Sequence, residues 1–206
     1  MSAPDTMEFG CICGTLRGHA RAVSPRTGTH VVCMCDDCQA FALYLNRDEL
    51  LDAAGGTEIF QLTPSQLSIT QGGEHLRCMR LSPKGTLRWY ANCCKTPLAN
   101  TMPSARVAFV GIPVVALHPA DRHAQTLGPI RARIHARFAR PNSGLGGHPR
   151  APLGLILRAI RLIGVATLLR KHTPSPFFDE RGAPTCEPMV ISLEQRKVLY
   201  PGRAST

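Results

Sequence analysis

Apolar and polar positions alternate in short runs through the first half of the chain, and turn residues separate the runs. THVVCMC (29–35), TEIFQL (57–62), QLSITQ (66–71), HLRCMR (75–80), GTLRWYA (85–91) and ARVAFVGIPV (105–114) each read as a strand. Between them lie GG at 55–56, PS at 64–65, GG at 72–73, SPKG at 82–85 and TP at 96–97. Gly and Pro there supply the backbone angles that tight turns need. One short helix is expected over RDELLDAA (47–54). Six strands with no alternating long helices predict a mainly β fold, a sheet sandwich or an open barrel.

The pattern changes after residue 118. HPADRHAQTLGPIRARIHARFARPNSGLGGHPRAP mixes His, Arg, Gly and Pro, and predicts a basic helix over 129–139 that stops at PNSGLGG. LGLILRAIRLIGVATLLRK (153–171) predicts a second helix, with Arg158 and Arg161 three apart on one face. Two arginines near the middle of so short an apolar run argue against a transmembrane span. Its apolar face is expected to cover the protein's own sheet or a twin subunit, giving a homodimer through this helix; an anionic surface is the other alternative. The chain thus divides into a β domain at 8–118 and a C-terminal, helix-containing extension at 119–206.

Charge sharpens that division. Residues 1–120 carry ten Lys/Arg against nine Asp/Glu, whereas residues 121–206 carry fourteen against five, so nearly all of the net +10 lies in the extension. Clustered arginine attracts phosphate, but the segment has few aromatics for base stacking and no nucleic-acid motif, which argues against a nucleic-acid partner. The opening MSAPDTMEFG lacks a basic start followed by an apolar run, so no secretory signal is expected and a cytoplasmic setting follows. There the nine cysteines stay reduced, and their odd number argues against a full disulfide framework.

Seven of those nine fall into three tight groups: Cys11 and Cys13; Cys33, Cys35 and Cys38; Cys93 and Cys94. Such groups bind metal, run redox chemistry or crowd thiols incidentally, and three groups each beside turn residues favour metal. Thiolate sulfur suits tetrahedral zinc, which takes four ligands in a closed site and three plus an exchangeable one in a reactive site. Seven cysteines divide as four plus three. Cys11, Cys13, Cys93 and Cys94 would form a structural zinc site. Cys33, Cys35 and Cys38 would hold a catalytic zinc, making two ions per chain.

CICGTLRG, CMCDDCQAF and RWYANCCKTPLANT, in that order, resemble the glutathione-dependent formaldehyde-activating enzyme and centromere protein V family. The resemblance covers about residues 8–115. It implies an Mss4-like β fold with a structural zinc from the first and last motifs and a three-cysteine catalytic zinc from the middle one. It also implies carbon–sulfur lyase chemistry, the condensation of formaldehyde with glutathione to S-hydroxymethylglutathione. Two departures stand out: Ala91 and Lys95 replace a cysteine and a glycine of the last family motif. Cys94 aligns with the final family cysteine, while Cys93 either completes the structural site after a kink, points at the other zinc, or points at neither. The residues after Cys38, QAFALYL, differ from the family's usual continuation, so the contacts to a small-molecule thiol are expected to differ.

Other residues have narrower readings. Asp36 and Asp37 orient the ligands or move a proton, or are solvated turn carboxylates. His30 is a fourth ligand only if its strand bends back. Arg17, Arg80 and Arg88 either meet the carboxylates of a thiol peptide or are surface strand charges. Cys78 is expected as a small buried hydrophobe, Cys186 as incidental, Trp89 and Tyr90 as core. The function expected is therefore a zinc-dependent lyase acting on a thiol–aldehyde adduct. Its rival is a non-catalytic, zinc-stabilised binding module whose basic extension meets nucleic acid or an anionic surface.

Overall fold

The computed structural model describes residues 5–200. In chain order its elements are β1 (Asp5–Gly10), β2 (Arg17–Val23), β3 (Thr29–Cys33), α1 (Asp36–Tyr44), β4 (Thr57–Leu62), β5 (Leu67–Gln71), β6 (Leu76–Arg80) and β7 (Leu87–Ala91). There follow β8 (Pro97–Thr101), β9 (Val110–Pro113), β10 (Leu117–His118), α2 (His123–Leu127), β11 (Ala132–Ile134), α3 (Leu153–Leu168), β12 (Met189–Val190) and α4 (Leu193–Leu199). The fold is mainly β, with two sheets and a few helices. One sheet has the order β10-β1-β2-β5, the other β11-β3-β4-β9-β8-β7-β6-β12.

The two sheets share one core. Met7, Phe9, Leu16 and Ala20 from the smaller sheet meet Phe60, Trp89, Val110 and Ile112 from the larger. Cys78 lies within this cluster, and Cys186 packs at its edge. Trp89 is fully buried, donates from Nε1 to Thr101 Oγ1 (3.0 Å), and stacks on Phe177 at 5.0 Å between ring centroids. The opposite face of the larger sheet is covered by α1 and by residues from the end of the chain, where Phe41 and Leu45 pack with Met79, Tyr90, Ile191 and Tyr200. Both faces of β7 are therefore buried, which is why LRWYA shows no polar–apolar alternation.

Several expected elements take another form. Residues 129–139 are not a helix: β11 pairs in parallel with β3, with Ala132 opposite Val31 and Ile134 opposite Cys33. His135 then adopts a left-handed backbone (φ 62°), which no helix continues through. The open edge of β3 offers the backbone a row of unpaired N–H and C=O partners, and that outweighs helix propensity. RDELLDAA holds only a single 3-10 turn at Asp48–Leu50. A nine-residue helix, α1, follows β3, where the sequence pattern predicted no element. The helix expected at 153–171 is present as α3. From the basic segment, β11 and β12 occupy the two edges of the larger sheet. No described helix is long and apolar enough to cross a membrane.

Candidate metal centre

The two cysteine sets meet as separate clusters. In each, the sulfurs lie within 4.8 Å of one another: Cys11, Cys13, Cys93 and Cys94 in one, Cys33, Cys35 and Cys38 in the other. Both sets can hold a metal ion.

The four-thiol cluster is made by two turns. Cys11 and Cys13 sit where the chain leaves β1 and turns into β2; Cys93 and Cys94 sit in the turn from β7 to β8. Sγ–Sγ distances are 3.5 Å for Cys11–Cys13 and Cys13–Cys93, 3.7 Å for Cys11–Cys93 and 3.9 Å for Cys93–Cys94. Four thiolates about 2.3 Å from a tetrahedral ion stand about 3.8 Å apart, so the spacing fits. Cys93 thus faces Cys11 and Cys13. The Leu16 N–H donates to Cys11 Sγ (3.2 Å), and the hydroxyls of Thr15 and Thr96 lie 3.2 and 3.0 Å from Cys13 and Cys94. Hydrogen bonds from the Thr15 hydroxyl and amide hold the Cys13 thiol down at about 6, which favours the ligating thiolate. Lys95 takes the left-handed backbone at φ 57° and donates from Nζ to Asn92 Oδ1 (2.6 Å). The cluster fastens the smaller sheet to the larger.

The three-thiol cluster is built at a strand–helix junction. Cys33 ends β3, Cys35 is the N-cap of α1, and Cys38 lies in its first turn, its N–H directed at Cys35 Sγ (3.4 Å). A helix N-terminus favours thiolate there, through its dipole and its unpaired amides. Cys38, hydrogen-bonded by the thiols of Cys33 and Cys35 and faced by Arg88, is held well below the ordinary thiol range.

Arg88 is not a surface charge. It is 4% exposed, and its guanidinium donates to Asn100 Oδ1 (3.2 Å), lies 3.8 Å from Asp37 Oδ2 and sits 5.3 Å from the centre of the Phe41 ring. Three thiolates on a divalent ion would leave one negative charge, which the buried guanidinium beside Cys38 would offset. Asp37 stands in the first turn of α1 with its side chain 44% exposed, so it remains solvated while facing Arg88 and accepting from the Tyr200 hydroxyl. Arg17 and Arg80 are occupied elsewhere, on the carbonyls of Gly14 and Pro83. Replacing Arg88 with methionine, close in volume but uncharged, is expected to destabilise the metal-loaded protein by about 3 kcal/mol or more, read from denaturant unfolding.

Cys38, Arg88 and Asn100 also line a cavity of about 160 Å³, whose other walls include Phe41, Leu51, Val114 and Glu58. It is smaller than a typical drug-sized site and mainly apolar, with Cys38 the one thiol of the cluster in its wall. Asn100, Glu58 and Tyr200 were not expected at this site. The one local signal was Arg88 itself, a charge inside the otherwise apolar strand LRWYA.

His30 does not join the cluster. Its Nδ1 lies 2.7 Å from the Gly128 carbonyl and its Nε2 2.7 Å from Glu58 Oε1. The Gly128 carbonyl only accepts, so Nδ1 carries a proton, and Nε2 forms an ion pair with ionised Glu58 when the ring is charged. Burial opposes that charge, but the bonds to Glu58 and Gly128 outweigh it and raise the His30 pKa; the same bond lowers that of Glu58. The His30 contribution to stability is full below about 6.5 and is lost as pH rises through the raised value. The Glu58 contribution is present above the ordinary carboxylate range and is lost as pH falls. Glu58→Gln should therefore lower the melting temperature most between about pH 5 and 6.5, with the difference shrinking towards pH 8 in thermal denaturation.

The sequence model that matches residues 4–188 describes a family of unknown function (DUF6151). The chain belongs to this family. No curated protein matches it. Among solved structures, a Rhodobacter sphaeroides protein determined by a structural genomics consortium superimposes with a TM-score of 0.42 at 16% identity, covering 60% of this chain and 97% of that one. Both cysteine clusters fall inside the span that matches the DUF6151 family.

Proposed function

We propose that this DUF6151 chain is a zinc protein with one structural and one reactive site, and that the reactive site works as a carbon–sulfur lyase on a thiol–aldehyde adduct. The observation that carries this reading is the contrast between the clusters. One has four thiols at tetrahedral spacing, while the other has three, of which Cys38 lines a cavity together with the buried cation Arg88. Soft, all-thiolate sets suit zinc. Zinc held by Cys33, Cys35 and Cys38 would act as a Lewis acid that lowers the pKa of an incoming thiol. An Mss4-like relation and a reducing, cytoplasmic setting belong to the same proposal.

The chain's own residues supply the rest. Phe41, Leu51 and Val114 give an apolar slot that fits a small aldehyde rather than a whole peptide thiol, whose remainder would stay outside. Asn100 and Arg88 offer N–H donors to the adduct's oxygen. In the splitting direction the adduct hydroxyl loses its proton, the C–S bond breaks with its electron pair going to sulfur, and aldehyde and thiol leave. Addition is the reverse, and no oxidant is needed. The linked Asp37–Tyr200 pair, which neighbours Arg88, would hold that proton.

Exchange between free formaldehyde and S-hydroxymethylglutathione, followed by carbon-13 NMR, tests the proposal. Zinc-loaded protein should accelerate it over buffer and over Cys35→Ser protein. An unchanged rate with glutathione and with smaller thiols would overturn it and leave the zinc-stabilised binding module.

A further inference from the structure

The helix α3 is apolar on both sides: Leu155 packs on the cluster of Val31 and Ile59 and Ala166 is buried, yet its outer face is apolar as well. Its inner side is tied down by polar contacts: Arg158 donates from Nε to Thr29 Oγ1 (3.2 Å) and from NH2 to the carbonyls of Pro25 and Gly28 (2.8 Å each). The Ala108 N–H donates to Thr167 Oγ1 (3.2 Å), and the Ser65 N–H to the Lys171 carbonyl (3.1 Å). With Arg158 turned inward, the outer face presents Leu153, Leu157, Ile160 and Leu168, exposed by 70, 58, 62 and 84%. Their spacing (i, i+4, i+7, i+15) puts them on one stripe, which Gly164 continues. A surface helix ordinarily turns such a stripe towards the core.

Charge identifies what meets the stripe. From Arg122 to Phe178 the chain has ten Arg or Lys and no Asp or Glu. Arg161 lies on the exposed side of α3, and Arg150, Arg170 and Lys171 are exposed beyond its two ends. A second copy docking by the same face would set these cations near their own equivalents. Nucleic acid would pair with the cations but leave the leucines in water. An anionic bilayer satisfies both, since its headgroups attract the cations and its acyl boundary accepts the apolar stripe. Sixteen residues rise about 24 Å, too short for the roughly 30 Å hydrocarbon layer, so the helix would lie in the interface.

We infer that α3 docks the protein on anionic phospholipid surfaces, with Leu153, Leu157, Ile160 and Leu168 in the acyl boundary and Arg161, Arg170 and Lys171 among the headgroups. This inference is independent of the chemistry proposed for the cysteine sites.

Co-sedimentation of the full metal-loaded chain with phosphatidylcholine vesicles, with and without phosphatidylserine, tests it. Binding is expected only with phosphatidylserine and should weaken as salt rises. The variant Leu157→Glu/Ile160→Glu should lose about tenfold or more in partitioning at an unchanged melting temperature. Arg161→Glu/Lys171→Glu removes no apolar contact and should also weaken binding to phosphatidylserine vesicles; it decides the test should the first variant lose its fold. Absence of phosphatidylserine-dependent binding would overturn the inference. So would retained binding by the charge-reversed variant. A dimer in sedimentation equilibrium that Leu157→Glu/Ile160→Glu splits would also overturn it, giving the face to a second copy.

Discussion

Replacing Cys11 with serine is expected to unfold the chain. Cys11 and Cys13 lie at one end of the core and Cys93 and Cys94 arrive from β7, so the four-thiol cluster closes a loop that joins two sheets. A structural zinc contributes on the order of 10 kcal/mol or more of folding free energy, against a total stability of about 5–15 kcal/mol for a typical domain. Three thiolates and a serine hydroxyl retain only part of that, and the loss is comparable to the whole. Far-UV circular dichroism and metal analysis should show Cys11→Ser protein with weakened β signal and little bound metal. Cys93→Ser should behave alike, because its sulfur stands as close to Cys13 as Cys11 does. Chelation of wild-type protein should have the same effect. Acid should too, since protons compete for the thiolates and metal is released as pH falls.

Replacing Cys35 with serine should act differently. Cys35 caps α1 through its sulfur, and serine is a good N-cap, so the helix start survives. One metal ion per chain is then lost while the four-thiol cluster keeps its own. Under the proposed chemistry, exchange activity should fall by about a hundredfold or more, since zinc-assisted thiolate formation depends on the complete ligand set. The melting temperature should drop by far less than for Cys11→Ser. Measuring both quantities on both variants separates the structural role from the reactive one; equal unfolding in the two variants would deny the distinction.

The strands with regular alternation and flanking Gly or Pro were legible from sequence alone: TEIFQL at 57–62 appears as β4 with the same bounds. β1, β2 and β8 were not. DTMEFG begins with polar residues, RGHARAV is rich in Gly, Ala and charge, and PLANT is five residues after a cysteine turn. Each is recruited by pairing with a stronger neighbour, which is the usual weakness of β propensity as a guide. α1 escaped notice because its N-cap is a cysteine and its first turn DDC reads as a metal loop. For RARIHARFAR, the exposed edge of β3 decided between helix and strand, and that edge does not exist in the sequence.

The cysteine grouping was legible because thiols are rare and their spacing is local chemistry. The second layer was not: Asn100 and Glu58 join Cys38 in lining one cavity only through sheet order, and Tyr200 reaches Asp37 from the far end of the chain. The inward turn of Arg158, on a helix whose outer face carries leucines, likewise depends on carbonyls at Pro25 and Gly28. Helical periodicity places Arg158 and Arg161 near one another but does not say that one points in and the other out.

Zinc-edge X-ray absorption on the purified, metal-quantified protein tests the central claim most directly. The account predicts two ions per chain and an average shell between three and four sulfurs with a minor oxygen or nitrogen contribution, rising to four sulfurs in the Cys35→Ser protein, which keeps only the closed site. One ion per chain in the wild type, or a shell that stays the same when Cys35 is replaced, would contradict it.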